Sequence, residues 1–456
     1  MLKHRSRTRT MSRKDEAPEE APAENKGDAE VPVEGKGEVE APVESKEEAA
    51  APAAHKRPKL PFDVLCLVAE HLAGDIGSLR ACTRASPELA LACRFVLYRQ
   101  VPIPSYEHLQ MWMRTILKTP GFQHKIRELW FHPFRRADQV LSPDLERLEV
   151  YIGLRMFTKH LVNLNTLHIG AINQSRMPAV RDSLLGTFAY CTSLTTLVLT
   201  AAYVPAITFR AILGSLPMLS ELRMDCVFLT KNPKDLSQKI LNAGMTHPLR
   251  LQALFQGLCH NYNEDDPGFL DWLRTTDTVD TLRKLFLYKC APRNMLEVTR
   301  FIQAVGDNLE ELNFHLEEPM PRWKQHDELQ HLREFSLEHN PNIRYINLHD
   351  SRNPILRDIV DQHPQPDNLR KVELTMVFNR LDAVKNQDFK ALDTLLSNQA
   401  RFTNLEEFQV NYQGMMEFKK AEAKVQRIFK GLKTRGVLRV VPGKPFPRGF
   451  VGKTML

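Results

Sequence analysis

Between residues 126 and 410 one apolar rhythm, a loosened L-x-x-L-x-L, returns ten times. It is carried by Ile126/Leu129/Phe131, Leu164/Leu167/Ile169, Leu194/Leu197/Leu199, Leu219/Leu222/Met224, a weaker Leu251/Leu254, and Leu282/Leu285/Leu287. Leu309/Leu312/Phe314, Leu332/Phe335/Leu337, Leu369/Val372/Leu374 and Leu405/Phe408/Val410 complete it. The last two apolar positions of a unit stand two apart, the spacing of a short strand with one buried face. The earlier residue closes the turn into that strand. Helical stretches lie between, at 181–191, 209–216, 233–244, 295–307 and 388–402. One strand and one helix cannot bury their apolar faces alone, so such units must stack on their neighbours. The pattern predicts an α/β fold: an irregular parallel strand–helix solenoid over 126–441, with a closing strand at 437–441. An α/β sheet domain has the same alternation and is the rival.

The ends differ. Residues 102–125 hold a linking helix at 106–118. Phe418, Ala421, Val425, Ile428, Phe429 and Leu432 make one stripe of a late helix ending at Gly436. Its other face carries Lys419, Lys420, Lys424, Arg427, Lys430 and Lys433, either a solvated face or a surface for an acidic partner. Residues 442–456 form a C-terminal tail.

Residues 60–101 predict three short helices. The first covers 62–72, with Pro61 at the first helical position, Asp63 complementing the helix dipole and a stop near Gly74. Its apolar residues at 62, 64, 65, 67, 68, 69 and 72 exceed the single stripe of a surface helix. One side can pack on its own domain, and the other wants a partner. The second helix starts at Ser78 as N-cap, with Leu79, Ala81, Cys82 and Ala85 inward. The third starts at Ser86-Pro87 with Leu89, Ala92, Cys93, Val96 and Leu97 as its stripe. A unit this small is at the lower limit of independent stability.

These residues resemble an F-box: Leu60-Pro61, Val64-Leu65, Val68 and Leu72, then Leu79-Arg80-Ala81-Cys82, then the exit Val96-Leu97-Tyr98-Arg99-Gln100-Val101. The opening and exit look most like F-box proteins of filamentous fungi. The segment 83–89 departs from the family in lacking the aromatic that often follows the second helix, and Pro87 breaks it. The later units look like the irregular leucine-rich repeats that follow F-boxes. Leu282-x-x-Leu285-x-Leu287-x-x-Cys290 and Leu332-x-x-Phe335-x-Leu337-x-x-Asn340 fit the longer repeat form. In the family that Cys or Asn bonds turn backbone inside the stack.

The resemblance implies a substrate-recognition subunit of an SCF-type (Skp–cullin–F-box) E3 ubiquitin ligase. A Skp-family adaptor, and through it cullin, would bind Leu60, Pro61, Val64, Leu65, Val68, Leu72 and Leu79. The repeat domain would hold an unknown protein substrate on exposed residues along strand edges or the loops leaving them. A basic surface there would suit acidic or phosphorylated targets. Two other readings stay open: a repeat scaffold whose first helices only cap the solenoid, and an unrecognised α/β enzyme.

The first 59 residues are of another kind. Residues 1–14 carry six basic residues and no acid, and residues 15–54 carry thirteen acids against three lysines. Pro22, Pro32, Pro42 and Pro52 mark a ten-residue repeat. Such composition cannot bury enough apolar area to offset chain entropy, which predicts a disordered spacer. Lys56, Arg57 and Lys59 close it with a basic cluster, a possible nuclear localisation signal.

Composition narrows the chemistry. The chain has 456 residues, 26% charged, with net charge +7, too modest to argue for nucleic acid. No apolar run reaches the roughly 18 residues of a membrane span, and Met1-Leu2-Lys3-His4-Arg5 opens no secretory signal. Seven scattered cysteines without C-x-x-C suggest a reducing compartment, cytoplasmic or nuclear. His326 and His331 are five apart, not the four of H-E-x-x-H, so no metal site is expected. Gly443-Lys444 lacks the rest of a P-loop. Cys226 and Cys290 follow strands and read as core rather than as nucleophiles. No enzyme activity and no cofactor are expected.

Overall fold

The computed structural model describes residues 60–73, 75–119, 121–132, 144–170, 172, 178–230, 248–257, 259–261, 268–290, 294–316, 335–349, 355–377, 386–413 and 416–443. The charged segment 1–59 with Lys56, Arg57 and Lys59, the helix expected at 233–244, His326, His331 and residues 444–456 lie outside them.

Among the described residues thirteen strands form one sheet: β1 (Gln100–Ile103), β2 (Glu128–Phe131), β3 (Thr166–Gly170), β4 (Thr196–Pro205), β5 (Glu221–Thr230), β6 (Ala253–Gln256), β7 (Cys259–Asn261), β8 (Lys284–Cys290), β9 (Glu311–Leu316), β10 (Tyr345–His349), β11 (Lys371–Val377), β12 (Glu407–Gln413) and β13 (Leu438–Pro442). Twelve follow each other across the sheet in chain order, and β7 pairs the far end of β5. Every pairing is parallel. Parallel neighbours need crossovers, and crossovers of one hand in one direction put their helices on one face. The order never reverses, so the sheet has no switch-point crevice of a doubly wound domain.

Register is passed from unit to unit by main chain. The carbonyl of Arg99 accepts N–H bonds from both Arg127 and Glu128, and that of Arg127 accepts from Asn165 and Thr166. The same double acceptance continues at Asn165, Thr195, Ser220, Gln252, Arg283, Glu310, Arg344 and Arg370. It aligns Val101, Leu129, Leu167, Leu197, Leu222, Leu254, Leu285, Leu312, Ile346, Val372, Phe408 and Leu438 in one row. All but Leu438 are buried, and one core runs from Val101 to Leu432. Each such side chain contributes roughly 1.5–3 kcal/mol by leaving water.

A second, polar row lies at the turns. The residue before the first apolar position of a unit is often Asn, Ser or Thr, and it bonds the preceding turn's carbonyl. Asn163 Nδ2 donates to His124 O, Asn342 Nδ2 to Asp307 O, Asn368 Nδ2 to Pro341 O and Asn404 Nδ2 to Asp367 O, at 3.1, 2.8, 2.9 and 2.9 Å. Ser193, Thr281 and Asn308 act alike on Leu164, Leu251 and Val279. This is where the stack satisfies its turn backbone at these units. Asn340 is fully buried and bonds turn backbone inside the stack, as the resemblance implies, donating to Gly306 O just after the helix Met295–Val305 and to Ile302 O within it, at 2.9 Å each.

Several expectations need correction. The strand expected at 332–337 stands at 345–349, because Ile343/Ile346/Leu348 carries the rhythm with isoleucines in place of leucines. The first strand is β1, which begins in the segment 96–101 that closes the three-helix unit, and it precedes the linking helix α4 (Tyr106–Lys118). Asp144–Thr158 is a helix the pattern did not reveal. The late helix is two, Phe418–Ile428 and Lys430–Arg435, broken where Asp393 accepts the N–H groups of Gly431 and Leu432. Its stripe is buried as expected except at Phe418, which is half-buried. Cys226 is half-buried, not core: it and Ala201 adopt left-handed φ of 54° and 50°, kinking β5 and β4 together. Both edge strands hold a proline, Pro102 in β1 and Pro442 at the end of β13.

His363 yields a pH prediction. It is 3% exposed. Burial chiefly, and the charge of Arg401, hold its pKa down at about 4. Unfolded imidazole protonates near pH 6.5, so stability is full above that and falls between pH 6.5 and about 4, by up to about 3 kcal/mol. Urea titrations at about pH 7 and about pH 5 should show this loss, and His363→Gln should flatten it. An equal loss in the variant would assign the dependence elsewhere.

Candidate functional site

The chain from Leu60 enters α1 (Phe62–His71), α2 (Ile76–Cys82) and α3 (Pro87–Leu97). Pro61 is the N-cap of α1 rather than its first residue, and its carbonyl accepts from Val64 and Leu65 N–H. α2 starts earlier than expected because Asp75, not Ser78, caps it. Asp75 accepts Ser78 N–H at 3.0 Å and the Ser78 hydroxyl at 2.6 Å. Those bonds, the hydroxyl first, hold the Asp75 carboxyl below its ordinary pKa. Ser86 caps α3 by accepting Leu89 N–H, with Pro87 behind it as expected.

Ala69, Leu79, Ala92 and Cys93 make a small core of their own, with Leu65, Cys66, Leu72, Cys82, Leu89, Val96 and Leu97 around it. Ala81 and Ala85 are exposed, contrary to expectation: Ala81 lies two residues from the buried Leu79, on the opposite side of α2, and Ala85 lies beyond the end of that helix. The unit meets the main core through Tyr98, whose ring packs edge-on against Phe122 at 4.9 Å and Trp112 at 6.0 Å.

The expected adaptor contacts divide. Leu60, Pro61, Val64 and Val68 are exposed, Leu65 and Leu72 are half-buried, and Leu79 is 1% exposed. Leu79 therefore holds the three helices together and offers no surface. Leu67, Ile76 and Leu91 are exposed too, at 57%, 54% and 46%. Phe62 meets Phe95 edge-on at 6.0 Å, and Lys125 Nζ lies 3.7 Å from the Phe95 ring centre. Leu91 and Phe95, four apart, were the missed part: they sit off the buried stripe of α3, and that was the available signal. Val64, Leu67 and Val68 stand on one side of α1, and exposed large apolar side chains grouped in this way mark an interaction site.

The open face of the sheet is the second surface. At its start Glu128 accepts from Trp130 Nε1 at 2.6 Å and Gln100 Nε2 at 2.9 Å, and lies 3.0 Å from His168 Nε2. Trp130 stacks on the His168 ring at 3.7 Å. Burial alone would raise the Glu128 pKa, but the bond and charge of His168, with Trp130 and Gln100, bring it below its ordinary value. At the far end Lys371 Nζ bridges Glu373 at 2.7 Å and Glu407 at 3.0 Å, and Glu407 also pairs with Arg439. Lys284 pairs with Glu311, and Arg223 with Glu221. Among the described residues the cations named here are matched by carboxylates. The basic side of the late helix is largely exposed, with Lys420 paired to Glu417. A polar cavity of about 380 Å³ at the strand-entry rim, lined by Arg283, Glu310 and Arg344 among others, belongs to the turn row.

Among the described residues no helix is long and apolar enough to cross a membrane, and no group of His, Cys, Asp or Glu is placed to hold a metal ion. No family model matches the chain, and no curated protein does. Among solved structures it is similar to a chain of the crystal structure of the Rad7 and Elc1 complex in yeast. The identity is 11%, over 78% of this chain and 90% of that one, with a TM-score of 0.34.

The surface and the small core respond differently to truncation. Leu79→Ala should destabilise the three-helix unit by about 2–5 kcal/mol, and Val64→Ala should stay within about 0.5 kcal/mol of the parent. Hydrogen exchange of the α1–α3 amides reads both. Equal loss of protection would place Val64 in the core.

Proposed function

We propose that the chain is a substrate-recognition subunit of an SCF-type ubiquitin ligase, binding a Skp-family adaptor through α1–α3 and a target protein through the repeat domain. The observation that carries this reading is the unpartnered apolar surface of α1 and α3 on residues that resemble an F-box. Leu60, Val64 and Val68 are turned out while Leu79 and Ala69 hold the unit. Exposing such a surface costs free energy unless something covers it. An adaptor that presents apolar helices is such a cover. The array behind it offers an open sheet face joined to the three-helix unit through Tyr98, an arrangement suited to tethering a target near a ubiquitin-charged enzyme. On this reading the chain contributes binding and geometry, and no bond chemistry of its own.

Co-purification of a Skp-family adaptor with the full chain tests this. The parent should retain the adaptor, and the double variant Val64→Asp, Val68→Asp should lose it by at least tenfold, since two carboxylates would be desolvated at the interface. Both positions are exposed, so the fold should survive. Failure of the parent to bind, or equal binding by the variant, would leave a repeat scaffold whose first helices are only a cap.

A further inference from the structure

The middle of the open face has one place whose charge is not answered. Along β5, β6, β8 and β9 a row of side chains reads Arg223, Phe255, Phe286 and Asn313. Phe255 and Phe286 stack at 4.1 Å, and the Arg223 guanidinium lies 4.6 Å from the Phe255 ring centre while its Nε bonds Glu221. The next positions toward the strand ends are Asp225 on β5, Gly257 just after β6, Tyr288 on β8 and His315 on β9. The Tyr288 and His315 rings are 4.6 Å apart.

Gly257 makes a notch between the carboxylate and the phenol. A Cβ there would come within 2.7 Å of Asp225 Oδ1 and 3.0 Å of Met224 O. The carboxylate leans over the glycine, close enough that its charge, after burial, raises the Tyr288 pKa. Its one hydrogen-bond partner among the described residues is the weak Sγ–H donor of Cys226, at 3.7 Å. Glu128, Glu221, Glu311, Glu373 and Glu407 on the same face each hold a basic side chain. Asp225 is half-buried and holds none.

We propose that this place receives a lysine or arginine side chain from an extended segment of the target protein, its cation at the Asp225 carboxylate and its alkyl stem across Phe255 and Phe286. The inference rests on the reading of the repeat domain as the target-binding part. The chemistry selects the occupant. A half-buried carboxylate favours a cation. A long basic side chain can cover apolar rings with its methylenes while its head reaches the charge. An apolar side chain would strip water from Asp225 and leave it unpaired, and an acidic one would be repelled.

The test uses the full chain on arrays of immobilised heptapeptides that differ only at a central position, occupied by lysine, arginine, norleucine or glutamate. Lysine and arginine peptides should retain about tenfold more protein than the norleucine peptide. Asp225→Asn, nearly isosteric, should bring that ratio to within about twofold. Phe286→Ala should lower it about threefold by removing apolar surface under the alkyl stem. Glu311→Gln, whose carboxylate is taken by Lys284, should leave the ratio as it is. No preference in the parent, or one that persists in Asp225→Asn, overturns the inference. The variant Val64→Asp, Val68→Asp separates the two readings. If adaptor capture fails in the parent while the lysine preference stands, the ligase role falls and the cation site remains. If capture holds and the preference is absent, only the cation site falls.

Discussion

The structure depends on a carbonyl that serves two amides at once. At the entry to each strand, from Arg99 to Arg370, one main-chain oxygen accepts two successive N–H groups of the next unit. Main-chain groups do not vary with sequence, so register is copied along the array whatever the side chains do. Polar groups withdrawn from water must be paired. That requirement fixes where each strand begins, and the row of buried leucines follows from it.

The same constraint explains how much was legible. The rhythm of apolar residues located β2 to β6, β8, β9, β11 and β12 because a buried row tolerates only a few residue types. It failed at β10 because Leu332/Phe335/Leu337 mimics the rhythm while Ile343/Ile346/Leu348 carries it with other residues. β1 was hidden by an exit that also reads as the end of a helical unit, and by Pro102, which is unusual in a strand. The Asn, Ser and Thr of the turns were in plain view at the position before the first apolar residue of most units. They were passed over because attention went to the position after the strand.

For the interaction surfaces the sequence was informative about face and poor about depth. The excess of apolar residues in 62–72 pointed to a second covered side, and Leu60, Val64 and Val68 are exposed. It could not separate them from Leu79, since a helix that packs and a helix that docks use the same residues. Asp75 took the cap from Ser78 because a carboxylate three residues earlier satisfies both the amide and the hydroxyl. The notch at Gly257 had no sequence signal. It exists only because the register sets a glycine between an aspartate and a tyrosine from different units.

A sheet built by stacking has no intrinsic reason to stop. Each strand is a template for the next, and the last strand at either end offers a free row of donors and acceptors to any other chain. Pro102 and Pro442 lie in those two outermost strands. A proline presents no N–H and so breaks the row a newcomer would need. At both ends the edge row is interrupted at one position. Those two positions are where a single substitution would most readily restore an edge able to pair with another chain.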